Sequence, residues 1–379
     1  MRRFLIVLSA AALVFTIVPA AAGRSPEAAS SGQGLGGRPT RSEIVGYFIQ
    51  WGIYGRGFFV KDLIDNGSAE QLTVINYAFG NVAPNANGDV VCQSGDTWAD
   101  YGRPTEAENS VDGVADVWGE PLRGNFRQLL KLKELYPNLK VNISLGGWSW
   151  SKYFSDGALT PEARQTLVSS CIDMFINGNL PIVDDAGGPG AAAGVFDGID
   201  LDWEWPGSEG NAGNVIRPED KQNFTKLVAE FRSQLDGLGD GQHHLLTAFL
   251  PAADGTINAG FEVRKLFPLF DFATFQGYDL AGAWDLSATN HQSKLFAPKA
   301  DPVPEFSVDR TVKSLHRAGA PMSKLVMGIP FYGRGWTGVT DENHGLYQPA
   351  TGAASGTWEA GVEDYHVLST LTDHGFTRY

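Results

Sequence analysis

The sequence predicts an α/β fold on a parallel sheet, a (β/α)8 TIM barrel, and three observations carry that prediction. Seven short runs rich in β-branched and aromatic residues alternate with stretches of helical spacing. The chain is 379 residues long, which suits that count of units in one large domain. Residues able to do chemistry (Ser144, Glu204, Tyr278 and Tyr332) fall at or near the C-terminal ends of those runs, where barrel enzymes keep theirs. A nucleotide-type glycine turn after a strand is missing, and so is any tandem repeat.

In chain order, Met1–Gly23 reads as a secretory signal peptide. Arg2 and Arg3 precede the apolar run Phe4–Val18, then Pro19 and small residues through Ala22. The alternative, a membrane anchor, needs about 20 apolar residues, and this run is shorter. The expected product is therefore secreted and extracellular. Residues 24–42 are Ser/Gly/Pro-rich and read as a flexible lead-in. The formal charge of −14 argues against nucleic acid and against anionic membrane as partners, whereas a neutral polymer fits.

Residues 43–334 carry the seven strands of the predicted barrel. Glu43–Ile49 is the first strand, followed by the aromatic loop Gln50–Phe59 and a short helix near Val60–Asp65. Leu72–Gly80 is the second. Asn81–Glu120 is polar and Gly-rich, too long for an ordinary connection, and reads as a functional loop. Phe126, Leu129, Leu130, Leu132 and Leu135 give Asn125–Tyr136 helical spacing, closed by Pro137. Strand Leu139–Gly147 and a helix from Pro161 to about Asn177 follow, then a Gly/Ala-rich insertion, Gly178–Gly194. A helix over Arg217–Leu235 follows the acidic stretch described below. Strands His244–Leu250, Phe272–Tyr278 and Leu325–Tyr332 alternate with helices near Val263–Leu266 and Val308–Ala318. Residues 335–379 are rich in Gly, Trp, Tyr and Thr and never return to a strand–helix unit, so the chain reads as truncated before an eighth strand. Cys92 and Cys171 are the two cysteines. Export permits a disulfide between them but their spacing does not establish one, and both read as structural.

Val195–Pro206, VFDGIDLDWEWP, is the stretch that points to chemistry. Asp200, Asp202 and Glu204 stand at i, i+2 and i+4, so on a strand all three face one way, roughly 6.6 Å apart. Ile199, Leu201 and Trp203 face the other way, toward a helix layer. Asp197 has the opposite parity to the three acids and reads as structural. Carboxylates this close cannot all ionise cheaply, so one pKa must rise, as a general acid near neutral pH requires. A solvated edge strand would not carry so much apolar bulk on its reverse face. A calcium loop would need Gly and Glu where Trp205 and Asn211 stand. Acid catalysis on a sugar remains, and the surrounding tryptophans favour it. The seven histidines show no metal-ligand spacing, so no metal and no cofactor is expected.

Asp197-Gly-Ile-Asp200-Leu-Asp202-Trp-Glu204 resembles the D-G-x-D-x-D-x-E signature of family 18 glycoside hydrolases, the retaining chitinases. The likeness extends from Ile44 to the end of the chain. Ser144-Leu-Gly146-Gly147 is similar to the family's S-x-G-G strand end, and Pro330-Phe-Tyr-Gly-Arg334 to its P-F-Y-G-R segment. Gly46-Tyr47 matches the first strand, Tyr77 and Phe79 the second, and Tyr278-Asp279 the pair ending the sixth. The Met-x that usually precedes that pair is Gln276-Gly277 here. Residues 335–379 resemble the start of the small α+β domain that many members insert after the seventh strand.

The resemblance implies hydrolysis of chitin and N-acetylglucosamine oligosaccharides, assisted by the substrate's own acetamido group. Glu204 is then the general acid/base. Asp202 holds the acetamido N–H and shares a proton with Asp200, and Tyr278 donates to the acetamido oxygen. Ser144 and Tyr47 are placed to hydrogen-bond Asp200. Tyr47, Ser144, Phe79, Asp279, Trp148, Trp284 and Arg334 are expected at the substrate, with Trp51 a further platform. For the three tryptophans core packing is an equal alternative, and for Arg334 the alternative is an ion pair. Trp203 is expected in the core. The rival functions are a chitin-binding lectin on the same barrel, an endo-N-acetylglucosaminidase acting on N-glycans, and a pure interaction protein.

Overall fold

Seven strands lie side by side in one parallel sheet, in chain order: Val45–Ile49, Val74–Pro84, Lys140–Gly146, Gly198–Asp202, Leu245–Leu250, Phe272–Phe275 and Leu325–Met327. This is the sheet of a (β/α)8 barrel, and the computed structural model describes residues 43–374 and 377 of it. The expected signal peptide and lead-in lie outside the described residues. Helices follow the strands as a crossover fold demands: Gly124–Leu135 after the second, Pro161–Cys171 after the third, Asp220–Asp236 after the fourth and Val308–Ala318 after the sixth. Among the described residues no helix is long and apolar enough to cross a membrane.

The packing explains why these runs became strands and helices. Parallel strands are covered on both faces, and the fifth strand accordingly buries every residue from Leu246 to Leu250. The helix Asp220–Asp236 buries Phe224, Leu227, Val228, Phe231 and Leu235, the stripe expected from its spacing. Trp203 reaches out of the acidic strand into this layer, stacked on Phe154 at 5.5 Å and edge-on to Phe224 at 5.8 Å. Its burial stabilises the fold by on the order of 2–3 kcal/mol. The outward parity of Trp203 therefore orients the acids inward.

Three sequence expectations change. The presumed loop Asn81–Glu120 begins as a hairpin: the second strand runs on to Pro84 and returns antiparallel as Val90–Ser94. Asn85 closes the turn, its side-chain oxygen accepting from the N–H groups of Asn87 and Asp89 at 2.8 and 3.0 Å, while Gly88 supplies φ 90°. The hairpin brings Cys92 against Cys171, and the two form a disulfide across 79 residues of sequence. The insertion Gly178–Gly194 likewise holds a small antiparallel pair, Leu180–Val183 with Ala186–Gly188. Finally, the seventh strand ends at Met327, well before Tyr332. Pro330, which has no N–H for a ladder, separates it from Tyr332–Arg334, which pairs antiparallel with Val362–Asp364. A second short pair, Trp336–Thr337 with Gly352–Ala353, accompanies it.

Candidate active site

The third, fourth and fifth strands run in register so that Ser144, Asp200 and Thr247 lie level, with Gly146 beside Asp202. Asp200 is fully buried and accepts from Ser144 Oγ at 2.7 Å, Thr247 Oγ1 at 2.6 Å and Tyr47 OH at 3.4 Å. Burial pushes its carboxyl up, and the three hydroxyls hold it partly back. Tyr47 OH is in turn 3.1 Å from Thr274 Oγ1 on the sixth strand, so the fixing of Asp200 spans the barrel interior.

Asp202 is built differently. It is 4% exposed, yet its Oδ1 has no hydrogen-bond partner in the structure. Burial raises its carboxyl well above the usual range, and the charges of Glu204 and then Asp200 raise it further. Glu204 is half-buried and is pushed up to about 8, by burial first and by Asp279 second. Its backbone is pinned on both sides: the N–H donates to Ser151 Oγ at 2.9 Å, and the carbonyl accepts from Asn214 Nδ2 at 2.8 Å. Ser151 Oγ also donates to the Asp202 carbonyl at 3.1 Å, so one hydroxyl sets the backbone between the last two acids.

The double glycine after Ser144 has a steric reason. A Cβ on Gly146 would meet the Asp202 carbonyl at 2.5 Å, and one on Gly147 would strike the Phe79 ring at 2.8 Å. Both residues also take positive φ, 105° and 69°, which favours glycine. The third strand can end against the acid row and Phe79 only without side chains there.

Tyr278 stands across from the acids, stacked on Phe249 at 6.2 Å and edge-on to Tyr332 at 6.1 Å. Burial raises its phenol far above its ordinary value, with Asp202, Tyr332, Glu204 and Asp279 adding to the effect, so the hydroxyl keeps its proton and can donate. Asp279 and Arg334, both expected at the substrate, hold each other: two 2.8 Å hydrogen bonds join guanidinium and carboxylate. Arg334 also lies over Trp284 at 5.0 Å and Tyr332 at 5.4 Å. Gln276, the departure from the family pattern, accepts from the Ala252 N–H at 3.3 Å and so joins the fifth strand end to the sixth.

The aromatic residues divide as their parity implies. Trp51, Trp148 and Trp284 are 40%, 53% and 62% exposed, which rejects core packing for all three, while Trp203 is buried. Asp197 binds Lys133 at 2.8 Å and Lys140 at 3.1 Å at the other end of the strand, away from the acid row. Thr247, Ser151 and Asn214 escaped the sequence reading. The only available signal for Thr247 was a lone hydroxyl in the apolar run LLTAFL.

The chain is matched by the model of the glycosyl hydrolases family 18 over residues 43–378 and belongs to that family. It is 41% identical over 344 residues to chitinase C of Streptomyces lividans, a match covering 89% of this chain and 51% of that protein. Over 365 residues it is 37% identical to chitinase A1 of Niallia circulans, covering 89% of this chain and 49% of that one. Its fold is similar to the catalytic domain of the psychrophilic chitinase B from Arthrobacter TAD20, with TM-score 0.83 and 47% identity, covering 87% and 80% of the two chains. The chain thus spans about half the length of the curated relatives it matches.

Proposed function

We propose that this protein is a secreted chitinase that hydrolyses β-1,4 bonds between N-acetylglucosamine units with retention, through an oxazolinium intermediate. The observation that carries this reading is the bare Oδ1 of Asp202, buried between a fully bonded Asp200 and a Glu204 pushed up to about 8. A buried carboxyl oxygen without a donor is costly, and an incoming acetamido N–H is the donor it lacks.

The sequence of events follows from that arrangement. Glu204 gives its proton to the glycosidic oxygen as the bond to the anomeric carbon breaks. The acetamido carbonyl oxygen forms the new bond to that carbon, held by the Asp202 carboxylate at its N–H and by the Tyr278 hydroxyl at its oxygen. Water then attacks the anomeric carbon, Glu204 takes the water's proton, and the ring opens to the product sugar. No second carboxylate about 5–5.5 Å from the acid is required as nucleophile. Asp200 supports Asp202 from below and shares its proton. Trp51, Phe79, Trp148 and Trp284 give the sugars apolar faces to lie on, and the Asp279–Arg334 pair braces Tyr278. Residues 43–334 would form the catalytic barrel, and the segment from 335 onward would begin an inserted domain that deepens the groove. Secretion rests on the composition of residues 1–23.

The test is hydrolysis of N-acetylglucosamine tetramer by the wild type beside Glu204→Gln. Turnover by the first and a loss of at least about a thousandfold in the second is the expected result. Substantial activity in the variant would remove Glu204 from its role. Tetramer binding with no turnover by the wild type would favour the lectin.

A further inference from the structure

Another buried carboxyl, which the proposed chemistry does not use, lies beside the end of the first strand and against the second. Asp100 is 1% exposed and sits in the helical turn Trp98–Gly102. Its Oδ1 accepts from Tyr77 OH at 2.6 Å and from Gln50 Nε2 at 3.2 Å. Its Oδ2 accepts from Ser94 Oγ at 2.5 Å. Tyr77 OH accepts in turn from Asn125 Nδ2 at 3.0 Å. Asp100 is an acceptor at each of these side-chain contacts, although burial pushes its carboxyl up to about 7. One carboxylate therefore joins the end of the first strand, the second strand and the hairpin's return strand, and reaches the helix Gly124–Leu135 through Tyr77.

Gln50 carries this arrangement to Phe79. With Nε2 on Asp100, its Oε1 accepts from the Phe79 backbone N–H. Its own carbonyl accepts from Asn125 Nδ2 at 3.3 Å. Turning the amide over would set oxygen against the Asp100 carboxylate and NH2 against the Phe79 N–H, two repulsive contacts in a buried place. The carboxylate thus fixes which way the amide points. Trp51, the next residue, stacks on Phe79 at 6.2 Å with the rings 26° apart. Gln50 and Ser94 line one surface pocket with Trp51, Asp96 and Trp150.

We propose that Asp100 is a positioning residue for sugar binding: by fixing the Gln50 amide it sets the pose of Trp51 and Phe79, and with it the affinity for sugars at those rings. It takes no part in bond cleavage. The inference rests on the chitinase reading for the nature of the ligand.

The experiment is a cycle on N-acetylglucosamine tetramer with Asp100→Asn, Trp51→Ala and the double variant. Asp100→Asn is expected to raise KM about tenfold with kcat within about twofold, the change of one hydrogen bond to a charged group. In the Trp51→Ala background the same change should have a smaller further effect on KM than in the wild type, because one of the two rings it positions is gone. A fall in kcat at unchanged KM, or full additivity in the double variant, would overturn the proposal. If Asp100→Asn does not melt cooperatively, Gln50→Met replaces it. That variant keeps the Asp100 contacts to Tyr77 and Ser94 and is expected to show the same rise in KM; an unchanged KM would overturn the proposal. A wild type that does not turn over the tetramer would instead overturn the chitinase reading. Tetramer binding followed by tryptophan fluorescence would then decide the inference: weaker binding by Asp100→Asn supports it, and equal binding overturns it.

Discussion

Asp100 and Asp202 are both buried carboxyls, and both are pushed up by burial, yet their surroundings differ in kind. Asp100 has a side-chain donor on each oxygen, supplied by Tyr77, Gln50 and Ser94. Asp202 has an oxygen with none. The first pattern is that of a fastener, whose surroundings are complete without a ligand. The second is what the proposed role requires, an oxygen left for a donor from outside the chain. Burial and raised proton affinity alone would rank the two together; the count of donors separates them.

That contrast can be broken by substitution at the two positions. Asp202→Asn replaces the carboxylate proposed to accept from the acetamido N–H with an amide that can also offer the wrong group. The expected loss in kcat/KM is about a hundredfold or more, read from initial rates on the tetramer, with the melting temperature little changed. A rate within a few-fold of wild type would make Asp202 a fastener like Asp100. The pH profile sharpens the contrast next. As the proposed acid, Glu204 acts only while protonated, and its carboxyl is pushed up to about 8. Activity should therefore persist through neutrality and fall as pH rises through about 8, measured as kcat/KM from pH 6 to 10. A fall centred near 5 would place the essential acid elsewhere. Asp100→Asn should give the smallest effect of the three, the rise in KM described above.

How legible each group was in the sequence follows the same division. The acid row could be read because alternation on one strand places Asp200, Asp202 and Glu204 on one face without knowledge of any neighbour. Trp203 was placed in the core by the same parity, and a helix over Arg217–Leu235, found at Asp220–Asp236, by its apolar stripe. Thr247 was not legible as a site residue, since its meaning comes from the register that sets it level with Asp200. Asp100 was hidden inside a segment read as loop. Its environment depends on a hairpin that returns Ser94 beside Gly80, for which Asn87-Gly88 was the one local turn signal. The Cys92–Cys171 bond depends on that hairpin too. The Asp279–Arg334 pair joins residues 55 positions apart, and sequence alone could offer Arg334 a sugar or an ion pair without naming the partner. Local periodicity was readable, whereas contacts made by strand order and hairpin return were not.

The central claim is that the acetamido oxygen is the nucleophile and that Asp202 and Tyr278 aim it. Proton NMR of the tetramer reaction during the first turnovers, before mutarotation, tests this most directly. The account predicts that the new reducing end appears first as the β-anomer. Initial release of the α-anomer would mean direct attack by water, and would contradict it.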